Sequence, residues 1–242
     1  MINLKIGVNF VRNVVALMLF LVLCVPLPAL ALNKEVSVKE YGGGPIYDVR
    51  GTYVMNYVMT IQPTSNHVNS IYVIKDGFNM LELGWCWWGP SWIYGSTSSP
   101  AWFVHVNDGS EVNWAEYTSD GQIISGVYTS GVNALPGRPT TGTNYGFKIE
   151  NNGFNSKTWY AKVNNYTKYT RTYANFAYGR SIIGSERQHD SDSNYAHFWS
   201  CQRIPNLSGQ SWTNWQTPDL FSDNDPAYYW NKISATEHYV QQ

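Results

Sequence analysis

The chain has 242 residues, a net charge of −1 and only 14% charged residues, against 11 Trp, 18 Tyr and 9 Phe. With no basic excess to meet phosphates, nucleic acid is excluded as a partner. The aromatic residues sit among many Asn, Ser, Thr and Gly, and no segment keeps apolar residues at i, i+3, i+4 and i+7, which excludes a helical fold.

At the start, Lys5 and Arg12 precede an unbroken apolar run from Val14 to Val25, after which Pro26 and Pro28 break any helix. Ala29-Leu30-Ala31 then supplies the small-x-small pattern of a signal-peptidase site, so residues 1–31 are expected to be a cleaved secretory signal. An uncleaved anchor over Val14–Leu32 would be just long enough to span, but the prolines argue against it. Cys24 follows Leu23, where lipid attachment would need a small residue. Removal takes two of the 16 basic residues and none of the 17 acidic ones, leaving a net charge of −3. Residues 32–242 are expected to be a single secreted domain, a monomer with no membrane contact, and long enough for one core.

Strand candidates recur along the rest of the chain as short β-branched and aromatic runs between turn residues. Thr52–Ile61 is the first. Ser70–Lys75 and Phe78–Trp85 form a hairpin across Asp76-Gly77, which suits the positive φ angles of a two-residue turn. Ala101–Val106 runs to the turn Asn107-Asp108-Gly109, and Glu111–Tyr117 returns from it. After Asp120-Gly121 come Gln122–Tyr128, Asn144–Glu150, Lys157–Asn164 and Lys168–Phe176, the last two divided by Asn164-Asn165. Segment 129–143, with its glycines and prolines, reads as a surface loop, and 205–230 resembles it in part, pinned by Trp212 and Trp215. Covering so many antiparallel strands calls for two sheets face to face, an all-β sandwich of the jelly-roll or concanavalin-like kind.

Cys86 and Cys201 remain after cleavage, and in an oxidising compartment they are expected to form a disulfide, with two buried thiols as the alternative. The densest cluster is Leu81-Glu82-Leu83-Gly84-Trp85-Cys86-Trp87-Trp88. In a strand of period two, Glu82, Gly84 and Cys86 share one face and Leu81, Leu83 and Trp85 the other. The leucine face suits the core. Glu82 then looks outward beside a glycine that leaves room for a ligand's backbone, either as a catalytic acid or as a solvated strand residue. A second acid, Glu186, follows Ile182-Ile183 and precedes Arg187, which would neutralise it in the plainer reading. A bridge from Cys86 to Cys201 would draw Glu186 toward Glu82.

The string Leu81-Glu82-Leu83-Gly84-Trp85, followed by a proline-containing aromatic stretch to Ala101-Trp102-Phe103 and by an isolated Glu186, resembles the neprosin-type glutamic peptidases. It is similar, more distantly, to the fungal glutamic peptidases, in which a glutamine stands at the place corresponding to Glu82. The chain departs from the plant-type members in lacking a separate activation domain. The resemblance implies a β-sandwich endopeptidase that needs no cofactor, with Glu82 and Glu186 as the catalytic pair and a preference for cutting near proline in acid. Such chemistry asks for two facing carboxyls, one activating water and the other, protonated, assisting the carbonyl or the leaving nitrogen. Gln188 is a candidate oxyanion donor. Trp85, Trp87, Trp88 and Trp102 are candidate substrate-binding residues.

Two rival readings use the same residues. A sandwich glycosidase would also place two glutamates on neighbouring strands, and a lectin-like module would use Trp85, Trp87, Trp88, Trp92 and Trp102 as a stacking platform for a polysaccharide. Asp190-Ser191-Asp192-Ser193-Asn194 imitates a calcium loop, but Tyr195 stands where glycine is needed, so it reads as a polar turn. His67, His105, His189, His197 and His238 have no metal-ligand spacing and read as satisfied surface or core residues. Asn165-Tyr166-Thr167 and Asn206-Leu207-Ser208 are sequons.

Overall fold

The computed structural model describes residues 34–40, 49–76, 79–90, 99–108, 112–117, 123–126, 138–189, 192–223 and 229–241. The expected signal, Trp92, Gly109, Asp120-Gly121, residues 129–137 and Asp190-Ser191 lie outside them.

The first strands are β1 (Lys34–Glu40), β2 (Val49–Tyr57), β3 (Asn66–Asp76), β4 (Asn79–Trp88), β5 (Ala101–Asp108) and β6 (Val112–Tyr117). Next come β7 (Ile123–Gly126), β8 (Asn144–Asn151), β9 (Thr158–Val163), β10 (Tyr166–Thr172), β11 (Arg180–Arg187) and β12 (Tyr195–Pro205). The chain ends in β13 (Thr213–Asn214), β14 (Pro218–Asp223), β15 (Tyr229–Ser234) and β16 (Glu237–Gln241). Sheet A has the order β14-β1-β11-β3-β4-β5-β6-β7, and sheet B the order β10-β9-β8-β2-β12-β16-β15, with β13 paired to β12. Each strand alternates its side chains, so the two sheets close face to face over one apolar layer. Ile71, Leu83, Trp85 and Val104 enter that layer from sheet A, and Val54, Phe147, Trp159 and Phe198 from sheet B.

The sheets are also joined by polar bonds at fixed heights. Trp85 Nε1 donates to Asn56 Oδ1 at 2.5 Å, and Ser181 Oγ donates to Thr52 Oγ1 at 2.5 Å. Each bond satisfies a buried group that would otherwise cost about 1–3 kcal/mol. Arg171 pairs with Asp108 between β10 and β5.

Local chemistry explains the turns. Asn164 and Asn165, with φ of 49° and 69°, form the expected two-residue connection between β9 and β10, since asparagine tolerates the left-handed region. At the other hairpin β3 runs through Asp76 and β4 begins at Asn79, with an irregularity between Ile74 and Asp76. Asp76 is thus still paired within the ladder, opposite Asn79, and Gly77 of the expected turn lies outside the described residues. In 205–230 residues 206–212 are irregular, as expected in part, and the short strands β13 and β14 follow; Trp215 is buried in the core, and Glu40 accepts the backbone N–H groups of Gln216 and Thr217 at 3.1 and 3.3 Å.

Candidate functional site

Strand alternation puts Glu82 on the outward face of sheet A, on the side away from the leucines. Its register neighbours are Tyr72 on β3 and His105 on β5. The carboxylate is only 5% exposed. Ser70 Oγ donates to Oε1 at 2.5 Å, and His105 Nδ1 lies 3.2 Å from Oε2. A carboxylate this buried must be compensated, and these two groups do so. His105 Nε2 is buried and bonds to no protein group. Gly84 is needed for a different reason than ligand access: a Cβ there would stand 2.2 Å from Asn69 O and 2.7 Å from Ser70 Cα, so β3 itself fills the room.

Glu186 lies on β11 and faces the same way. β3 separates β11 from β4, and the row of Glu186 runs through Val68 to Cys86, four residues along β4 from Glu82. Two strand spacings of ~4.8 Å and four residues of ~3.3 Å set their Cα atoms on the order of 16 Å apart. Arg187 does not neutralise Glu186. It points to the opposite face, fully buried, and donates to the Asp192 backbone carbonyl at 2.7 Å.

The carboxyl directly across from Glu186 is Glu35 on β1. Tyr72 connects the two glutamate regions. Its ring leans over Gly184, where a Cβ would stand 3.0 Å from Tyr72 Cε1, and its hydroxyl donates to Glu35 Oε1 at 2.8 Å. Burial first, then the charge of Glu35 and more weakly that of Glu82, push the Tyr72 phenol well above its ordinary 10, so it stays a donor. Glu35, which accepts its hydroxyl, and Glu82, its register neighbour, thus flank one buried phenol on the sheet face that also carries Glu186. Ser70, Tyr72 and His105 were legible as outward residues of alternating strands, but not as partners of Glu82. Glu35 was hidden because the Lys34–Glu40 strand was not expected.

Comparison with known proteins gives no family-model match to the sequence and no matching curated protein. Among solved structures, scytalidoglutamic peptidase with a transition-state analogue inhibitor is similar at a TM-score of 0.49 and 10% identity, over 86% of this chain and 97% of that chain. SCP-B, a member of the eqolisin family of peptidases in complex with the tripeptide Ala-Ile-His, is similar at 0.48 and 9%, over 86% and 98%. The κ-carrageenase of Zobellia galactanivorans is similar at 0.34 and 9%, over 66% and 64%. Likeness this distant transfers no residue roles, which rest on the site's own chemistry.

Two sequence expectations change here. Cys86 and Cys201 are buried thiols, not a disulfide. Cys86 alternates with Trp85 and Trp87 and so turns out of the core, into a cluster with Val68, Trp88, Ala101 and Phe103. Cys201 lies in the inter-sheet core on β12, with the thickness of sheet A between them. It is sheet order, not a bridge, that brings Glu82 and Glu186 to one face. The stacking surface of Trp85, Trp87, Trp88 and Trp102 is not formed either, since each is at most 6% exposed. Trp85, Trp87 and Trp102 belong to the inter-sheet core, and Trp88 to the Cys86 cluster. In the segment that reads as a polar turn, Asp192 is capped by the hydroxyls of Thr64 and Ser65 and by their backbone N–H groups at 2.7 and 3.2 Å. Gln188 is half-buried just beyond β11, on the far side of Glu186 from Glu82.

Proposed function

We propose that the outward face of sheet A is the hydrolytic site of an exported glutamic-type endopeptidase, acting in mild acid and near proline. The observation that supports this reading is a row of acids on one sheet face: Glu35 and Glu186 are in register across β1 and β11, Glu35 accepts the Tyr72 hydroxyl, and Glu82 is the register neighbour of Tyr72. The choice of a peptide bond is supported by the resemblance of Leu81–Trp85 to neprosin-type peptidases.

In this reading Glu186 takes a proton from the attacking water, and Glu35 is the second carboxyl near enough to assist. Across ~16 Å, Glu82 cannot share that water. Glu35, protonated, passes its proton to the leaving nitrogen, while Glu82, held by Ser70 and His105, bears on the site only through its charge on Tyr72. Tyr72 meets the developing oxyanion when substrate displaces its bond to Glu35. A retaining glycosidase would need two carboxyls about 5 Å apart; the offset rules out Glu82 and Glu186 as that pair but not Glu35 and Glu186, so release of reducing sugar is the outcome that would favour that reading.

The test is cleavage of proline-containing peptides at pH 5. Glu186→Gln should abolish it and Glu82→Gln should lower it, while circular dichroism stays unchanged. Full activity in either variant removes that residue from the mechanism. Full activity in Glu35→Gln would overturn the paired-carboxyl mechanism.

A further inference from the structure

The outward face of sheet B, on the far side of the sandwich, carries a second built feature. A cavity of about 170 Å³ is lined by Tyr53 on β2, Lys148 on β8, Gln202 on β12, Asn165 in the β9–β10 turn and Trp212. Its aromatic walls depend on missing side chains. A Cβ on Gly51 would stand 3.2 Å from the Trp212 ring, and one on Gly146 3.1 Å from the Tyr53 ring, so each ring rests on bare backbone. Tyr53 holds Trp212 edge-on, with centroids 6.2 Å apart and planes at 72°.

Polar groups are distributed around those walls. Lys148 Nζ lies 5.5 Å from the Trp212 ring centroid and donates to Asn165 Oδ1 at 2.7 Å, which leaves two of its three N–H groups for a ligand. Gln202 Nε2 donates to Asn214 Oδ1 at 3.2 Å, leaving its carbonyl oxygen to accept. The lining contains no acid, and Glu150, two residues along β8, is paired with Lys162 at 2.6 Å. A cation, amides and an aromatic wall in one ring-sized space suit a molecule with an apolar C–H face, several hydroxyls and one negative charge.

We propose that this cavity binds one uronic-acid residue of an acidic polysaccharide. The sugar's C–H face packs on Trp212, its carboxylate meets Lys148, and its hydroxyls meet the amides of Asn165 and Gln202. This site is independent of the carboxylates on sheet A and would hold the protein to an acidic glycan while that face stays open.

The test is calorimetric titration of the whole mature chain, made in bacteria so that the Asn165 sequon stays bare, with oligogalacturonate and with a neutral cello-oligosaccharide. Oligogalacturonate should bind, weaken as salt rises, and lose at least tenfold in affinity in Lys148→Met and in Trp212→Ala. Lys148→Met decides the matter if Trp212→Ala loses its melting transition. The proposal is overturned if oligogalacturonate does not bind, if Lys148→Met binds it as well as wild type, or if the neutral oligosaccharide binds as tightly.

Discussion

Replacing His67 tests the buried polar layer most directly. His67 sits on β3 in register with Arg187 and Trp87, fully buried, and neither ring nitrogen has a hydrogen-bond partner. Burial lowers its pKa to about 4; the Asp192 carboxylate works against this shift and Arg187 adds to it. An unfolded histidine titrates near 6.5, so between pH 6.5 and 4 the unfolded chain binds the extra proton and stability falls as pH falls. At ~1.4 kcal/mol per pH unit, the full window is worth about 3 kcal/mol. His238 is also lowered to about 4, by burial against its bond to the Ala235 carbonyl, and Trp230 Nε1 donates to its Nδ1 at 3.1 Å. It contributes a similar loss over the same window. Asp192 does not blur that window. Burial would raise its pKa, but the bonds from Ser65 and Thr64 hold it below the usual carboxylate range, so its share of stability is lost only at lower pH. Urea unfolding of wild type and His67→Leu at pH 7 and pH 4.5 provides the assay. The variant loses no hydrogen bond, so at pH 7 it should stay within ~1 kcal/mol of wild type. Its loss on acidification should be about half as large. An equal loss in both proteins would refute the reasoning.

Gly84→Ala should destabilise by about 3 kcal/mol, because the new methyl meets β3 backbone rather than a movable side chain, and should lower Tm by roughly 6–12 °C. A shift under about 2 °C would mean that β3 and β4 part at little cost. Cys86 and Cys201 should resist a thiol reagent in the native protein and react fully in denaturant, with the same electrophoretic mobility with and without reductant. Burial, with Glu40 and Glu237 adding to it, keeps the Cys201 thiol well above its ordinary pKa. A disulfide found by mass spectrometry would contradict the placement of the two residues.

Much of the candidate site could be read locally. Alternation in Leu81–Trp88 sends Glu82 one way and Leu81, Leu83 and Trp85 the other, whatever the neighbouring strands do. The same alternation carries Ser70, Tyr72 and His105 outward. The partners were not legible, because hairpin register changes with a single residue. Taking Asp76-Gly77 as the two-residue loop would set Glu82 opposite Ile71, whereas the irregularity at Ile74 and Asp76 sets it opposite Tyr72.

The sequence by itself determined the all-β class, the runs that became β2 to β10 and the outward aim of Glu82, since period-two alternation and turn chemistry act within a few residues. Only the tertiary structure decided that β3 lies between β4 and β11, that Glu35 stands across from Glu186, and that Trp85, Trp87, Trp88 and Trp102 are buried. Those facts depend on which strands pair, and pairing is settled by burying one face of each sheet against the other.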